Sequence, residues 1–170
     1  MEVLVVVDMQ NDFITGSLGT KEAQAIVPVV REMIERFEGP VFFTRDTHQV
    51  DYLLTQEGQK LPVLHCLEGS EGWEIESTLP LEDAVIFNKP TFGSTKLAQE
   101  LVKLSIQETL DAIHLIGVCT DICVISNALL LKAFLPEVPI IVHEKACAGV
   151  TPQAHTRALE AMKSCQIDIN

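Results

Sequence analysis

The sequence predicts an α/β fold of three layers, with helices on both faces of a mostly parallel sheet. Three observations predict it. Short β-branched or apolar runs recur along the 170 residues. They are apolar throughout rather than alternating, as strands buried on both faces are. Longer stretches of helical periodicity fall between most of them, which makes the alternation Rossmann-like. The length suits a single domain spanning residues 1–170, and no repeat, low-complexity segment or linker divides it.

The elements follow in order. Val3–Val7, "VLVVV", is the first strand, and Lys21–Glu38 is the helix after it. Val41–Thr44 is the second strand. From Asp46 to Asp83 the chain shows little periodicity, and an irregular segment of that length is usually functional. Ala84–Phe87 is the third strand, followed by a helix over Thr95–Ser105. Ala112–Ile116 is the fourth, followed by a helix over Asp121–Phe134. Val138–Val142 is the fifth, followed by a helix over Pro152–Lys163. Gln166–Ile169 closes the sheet.

In open parallel sheets, sites form outside the carboxyl ends of the strands. The first strand exits as "VVVDMQ" and delivers Asp8. The second exits as "FFTRDTH" and delivers Asp46 and His48. The third, "VIFNKP", delivers Lys89; the fourth, "LIGVCTDIC", delivers Cys119 and Cys123. Any one of these alone reads as a solvated turn. Carboxylates, an imidazole, an ammonium and a thiol at one edge together point to a site.

The thiol is the candidate nucleophile. Thr120 or Asp121 can cap the helix that begins there, which puts Cys123 in its first turn, beside unpaired N–H groups. That setting, with Lys89 nearby, predicts a lowered thiol pKa and amides able to hold an oxyanion. Asp8 can accept the thiol proton and return it to a leaving amine. The competing reading of Cys123 is a buried small hydrophobe, the commonest fate of a free cysteine. Asp8 and Lys89 at the same edge outweigh it. Cys119, Cys147 and Cys165 read as packing residues, and C-x-x-x-C lacks the spacing of a redox pair.

Asp46 and His48 are two apart, so in extended chain they share a face. With His65 from "LPVLHC" they form a donor set suited to zinc, iron or manganese, and Glu57 or Asp51 could add a fourth ligand. The competing reading is a local hydrogen-bonded turn and a satisfied histidine. His114, His143 and His155 carry no assigned chemistry.

Composition narrows the function. A net charge of −12, with 24 acidic against 12 basic residues, opposes binding to nucleic acid or to an anionic membrane, and disfavours a dianionic substrate. Five cysteines are too few for a disulfide scaffold. The acidic N-terminal residues and the shortness of "VLVVV" read as no secretory signal, so a cytoplasmic setting with free thiols is expected.

"VVVDMQNDF", "FFTRDTH", "LPVLHC", "EGSEGWEI", "NKPTFGSTKLAQEL" and "GVCTDICV" resemble, in order and spacing, the isochorismatase-like cysteine hydrolases. Within them the chain is most similar to the nicotinamidase/pyrazinamidase branch. The resemblance implies the isochorismatase-like hydrolase fold and hydrolysis of a small amide through a thioester, with nicotinamide giving nicotinate and ammonia. It implies Asp8 as general base and acid, Lys89 as the cation stabilising thiolate and intermediate, and Cys123 as nucleophile. It implies a metal held by Asp46, His48 and His65, with Glu57 near a variable fourth position, and Phe13 lining the substrate pocket. It further implies a cis peptide at Val118–Cys119 that turns the amides of Cys119 and Cys123 toward the oxyanion, and a homo-oligomer. The chain departs from the branch in lacking a tryptophan in "KLPVLHC". Rival expectations are an amidase for another small amide or carbamoyl compound, which would need no metal, a vinyl-ether-cleaving isochorismatase, and an inactive binding protein.

Overall fold

In a computed structural model describing residues 1–170, six strands form one sheet, parallel throughout. They are β1 (Glu2–Val7), β2 (Val41–Asp46), β3 (Val85–Lys89), β4 (Ala112–Val118), β5 (Ile140–Ala148) and β6 (Asp168–Ile169). The helices are α1 (Asn11–Ile14), α2 (Lys21–Arg36), α3 (Gln56–Lys60), α4 (Thr95–Gln107), α5 (Ile125–Phe134) and α6 (Pro152–Ser164). The strand order is β3-β2-β1-β4-β5-β6, so the winding reverses between β1 and β4. In a doubly wound sheet the crevice beyond such a reversal is the natural ligand site.

The continuous apolarity of the strands has the predicted consequence. Val3, Val5 and Val7 face one core with Leu97, Leu101, Leu131 and Met162 from α4, α5 and α6. Leu4 and Val6 face the other, with Ile26 and Val30 of α2. Each such side chain, removed from water, contributes about 1.5–3 kcal/mol. The helices start where the sequence offers a hydroxyl: Thr20, Ser94 and Thr151 each accept a hydrogen bond from the N–H three residues on.

Three departures from expectation are larger than the shifts of one or two residues at other element ends. β5 covers Ile140–Ala148 instead of Val138–Val142. Its pairing with β4 shifts between Leu115 and Gly117, and the polar "HEK" of its middle hides the continuation to Ala148. The helix expected from Asp121 instead begins as a π-helical turn, Thr120–Val124, before α5. The segment from Asp46 to Asp83 contains α3 and single 3₁₀ turns at Tyr52–Leu54 and Glu71–Trp73.

Gly117 is required at the crossover. Its φ is +116°, and a Cβ there would stand 2.1 Å from the carbonyl oxygen of Val7. Only glycine lets β4 run this close to β1 just before the site. The Val118–Cys119 peptide that follows is cis, as expected. No helix is long and apolar enough to cross a membrane.

Candidate active site

Asp8, Lys89 and Cys123 come from the ends of three different strands and meet. Lys89 Nζ lies 2.6 Å from Asp8 Oδ2, 3.3 Å from Asp46 Oδ1 and 3.5 Å from Cys123 Sγ. All four side chains are buried. The Asp8 backbone is held at φ 47°, in the left-handed region, a strain that surrounding structure must impose. Thr44 helps impose it: its hydroxyl donates to Asp8 Oδ1 at 2.6 Å, and its carbonyl accepts from Asp8 N at 3.2 Å. Asp8 Oδ2 receives no donor at a hydrogen-bonding angle, only the ion-pair contact with Lys89. That leaves it the oxygen open to a further proton.

The electrostatics correct one expectation. The Cys123 thiol is not lowered but pushed well above its ordinary value, first by burial and then by the charge of Asp8, which together outweigh Lys89. The thiol gives up its proton less readily than a free cysteine, so an acceptor at hand is needed for attack. Burial also raises Asp8 despite Lys89, which suits it to receive that proton. Burial alone would depress Lys89, but Asp8 first and then Asp46 push it up and keep it charged.

The turn carrying Cys123 is not capped as expected. Asp121 Oδ1 accepts instead from Val150 N at 2.9 Å, and Thr120 Oγ1 pairs with His155 Nδ1 at 2.7 Å. Both bonds tie the turn to the start of α6. Asn127, buried in α5, donates to the Cys123 carbonyl at 2.8 Å and accepts from Ser94 N at 2.9 Å.

Beside this triad, Asp46, His48, Glu57 and His65 bring one donor atom each within 4.8 Å of one another. Asp51 is exposed and stands outside this group. The donor set fits a metal ion. His65 Nδ1 donates to the Val63 carbonyl at 2.8 Å, which leaves the Nε2 lone pair facing Asp46 Oδ2 at 3.5 Å and Glu57 Oε1 at 3.8 Å. His48 Nε2 is 2.9 Å from Asp46 Oδ2 and 3.6 Å from Glu57 Oε1. Apart from the Asp46–His48 contact these gaps are longer than hydrogen bonds, and lone pairs and carboxylate oxygens gathered this closely suit a cation. Bonds of about 2.0–2.1 Å to a tetrahedral centre would set such donors roughly 3.3 Å apart. Burial would raise the Asp46 carboxyl, but His48, His65 and Lys89 hold it well below the usual carboxylate range. Burial would lower His65, but Asp46 draws it upward.

Cys123 of the first group and Asp46, Glu57 and His65 of the second line one cavity of about 310 Å³, together with Phe13, Leu61, Phe92, Ile122 and Cys119. This is the small end of ligand-site volumes. A larger open depression over Pro152, Gln153, Thr156 and Arg157 contains none of these groups. Phe13 packs against His65, with ring centroids 5.7 Å apart. Cys119 lines the cavity instead of only packing, with its thiol pushed up to about 12 by burial and Asp121. Cys147 is buried as expected, but Cys165 is exposed, because α6 ends there and the thiol turns to solvent.

Several supporting residues escaped the sequence reading. Gln10 is fully buried; its amide donates to the carbonyls of Asp46 and Trp73 at 2.8 and 2.9 Å and accepts from Asp46 N at 2.7 Å. Asp12 accepts from Cys66 N at 2.7 Å, which anchors the backbone next to His65. Tyr52 is wedged against both imidazoles, at 4.5 and 5.0 Å. Gln10 and Asp12 lie in the "VVVDMQNDF" run, but nothing in their spacing shows what they hold.

Known proteins share this fold. The family model described as Isochorismatase domain matches residues 2–169. The uncharacterised isochorismatase family protein PncA of Bacillus subtilis (strain 168) is 30% identical, over 93% of this chain and 92% of that one. The pyrazinamidase of Pyrococcus horikoshii, solved in complex with zinc, superposes with a TM-score of 0.85 at 32% identity, over 99% and 98% of the two chains. The N-carbamoylsarcosine amidase of Thermoplasma acidophilum superposes with a TM-score of 0.79 at 26% identity, over 99% and 95%.

Proposed function

The chain belongs to the isochorismatase family of hydrolases, and within it we propose that it is a cysteine-dependent amidohydrolase converting nicotinamide and water to nicotinate and ammonia. One observation carries this reading: the Asp8–Lys89–Cys123 contact and the Asp46–His48–Glu57–His65 cluster share a single small, largely apolar cavity. The first can break an amide. The second can orient a heteroaromatic ring.

The amide carbonyl sits over Cys123, and Asp8 Oδ2 takes the thiol proton as sulfur attacks. Lys89 stays charged and opposes the developing negative charge from 3.5 Å. The backbone N–H groups of Cys119 and Cys123 hold the oxyanion. Asp8 returns its proton to the leaving nitrogen, ammonia departs, and a thioester remains on Cys123. Asp8 then takes a proton from water as its oxygen attacks the thioester; the C–S bond breaks, the carboxylic acid is released, and Asp8 returns the proton to the Cys123 sulfur. Asp46, His48, His65 and Glu57 would hold a divalent zinc, iron or manganese ion, which when bound supplies a Lewis-acid contact for a ring nitrogen, directly or through water. Phe13 and Phe92 flank the ring, and holding it in place supplies several kcal/mol of the barrier reduction.

The test is ammonia release from a panel of small amides, with nicotinamide and an N-carbamoyl amino acid as its two poles. Nicotinamide should turn over, and Cys123→Ala should lower the rate by on the order of 10⁴-fold or more. The carbamoyl acid should fail, because no lysine or arginine side chain lines the cavity to meet its carboxylate. Unchanged turnover in Cys123→Ala would exclude the mechanism. Preference for the carbamoyl acid would replace the substrate.

A further inference from the structure

Asp46 faces two ways. Its Oδ2 looks into the donor cluster, 2.9 Å from His48 Nε2 and 3.5 Å from His65 Nε2. Its Oδ1 lies 3.3 Å from Lys89 Nζ, on the side of the nucleophile. The carboxylate is 3% exposed, so water screens neither contact. Lys89 is therefore one cation shared among two carboxylates and a thiol. The negative charge of Asp46 adds its own field at Cys123, and that field offsets the field of Lys89.

We propose that Asp46 is a positioning residue that couples the metal cluster to the nucleophile, so that a cation bound at Oδ2 releases the field of Lys89 onto Cys123. The inference rests on the roles given above to Lys89 and Cys123. A divalent ion on Oδ2 neutralises the carboxylate, and Oδ1 then holds the ammonium less tightly. More of its positive field falls on the sulfur, and an anion forming there is favoured. At the separations in this buried site, one unit of charge is worth a change of on the order of tenfold in thiolate reactivity. The metal would then act on the nucleophile as well as on the substrate ring, without touching the sulfur.

The measurement needs no amide substrate. Purified protein, stripped with chelator or reloaded with zinc, is treated with iodoacetamide. The rate is read at the Cys123 peptide by mass spectrometry, because exposed Cys165 reacts independently. Zinc should raise the Cys123 rate by on the order of tenfold. In stripped Asp46→Asn, which removes the charge but keeps the shape, the rate should already match the zinc-loaded wild type and should not respond to zinc. His65→Ala should show no zinc response, which separates the cluster from zinc bound directly to sulfur. A wild-type rate that zinc leaves unchanged or lowers overturns the coupling. So does a folded Asp46→Asn with the slow, stripped rate. If Asp46→Asn does not fold, the two wild-type states decide alone. Failure of nicotinamide hydrolysis with this response intact would count against the substrate only.

Discussion

Two clusters of imidazole and carboxylate lie toward opposite ends of the same sheet. At the carboxyl ends, Asp46, His48, Glu57 and His65 converge on a point. Toward the amino ends, Glu2, His114 and His143 form a line: His143 Nε2 is 2.8 Å from His114 Nδ1, and His114 Nε2 is 3.1 Å from Glu2 Oε2. In the line every contact is of hydrogen-bond length, and both nitrogens of His114 are used. In the convergent cluster only the Asp46–His48 contact is that short; those at 3.5, 3.6 and 3.8 Å are too long. The same residue types therefore mean different things. A chain satisfies itself and needs no ion, whereas a convergent set with long gaps is satisfied by a guest. The convergent cluster also abuts a cavity and the candidate nucleophile, which gives the guest something to do.

Breaking the contrast at its strongest point means removing the cation the site is built around. Lys89→Met strips the counter-charge from buried Asp8 and Asp46. It should cost about 3–5 kcal/mol in urea unfolding, as unpaired buried charges do. It should also lower kcat/KM for nicotinamide by on the order of 10³-fold. His143→Gln at the other end should leave kcat/KM within about twofold. Equal damage from the two would mean that the contrast is one of packing alone.

The next largest effect sharpens the question of the ion itself. His65→Ala should weaken zinc binding by on the order of 100-fold or more, measured by competition with a chromophoric chelator. His143→Ala should leave it unchanged. A folded His65→Ala that binds zinc as the wild type does would leave the convergent cluster without its meaning.

Much of the fold and of the candidate site was legible in the sequence, and the illegible part has a physical cause. Apolar runs report which strands are buried, so the sheet could be read, as could the exits of Asp8, Asp46, Lys89 and Cys123. The meeting of those exits depends on strand order, which "AVIF" or "AIHLI" does not encode. The thiol's raised proton affinity depends on burial and on a neighbour 115 residues away along the chain. The end of β5 was missed because a bulge lets "HEK" sit within a strand. Thr44 and Gln10 were missed because one threonine in a strand and one glutamine after it look ordinary until their partners are known.

Gln10 sharpens the contrast from beneath the site. Its amide makes three hydrogen bonds, to both sides of the Asp46 backbone and to Trp73. Gln10→Ala should cost about 2 kcal/mol in urea unfolding, because buried backbone groups lose their partners. It should also weaken zinc binding, since the backbone it fixes aims the Asp46 carboxylate. A loss of stability without a loss of zinc affinity would confine Gln10 to the fold.

The smallest effect belongs to the linear cluster and is a matter of pH. Burial and the neighbouring His114 lower His143 below its ordinary value of 6.5. The sign follows from linkage: between the lowered folded value and 6.5, the unfolded chain binds a proton that the folded one refuses. The stability involved is fully present above about pH 6.5 and is lost as pH falls through that window. His155, also lowered by burial, acts in the same direction, so the comparison has to be between variants. Subtracting the pH profile of His143→Phe from that of the wild type, both from urea unfolding, cancels His155 and the site. The remaining slope should correspond to at most about one proton, rising with pH below 6.5 and flat above it. A difference profile flat throughout would mean that His143 titrates alike in both states, and that the line of imidazoles is closer to solvent than its geometry indicates.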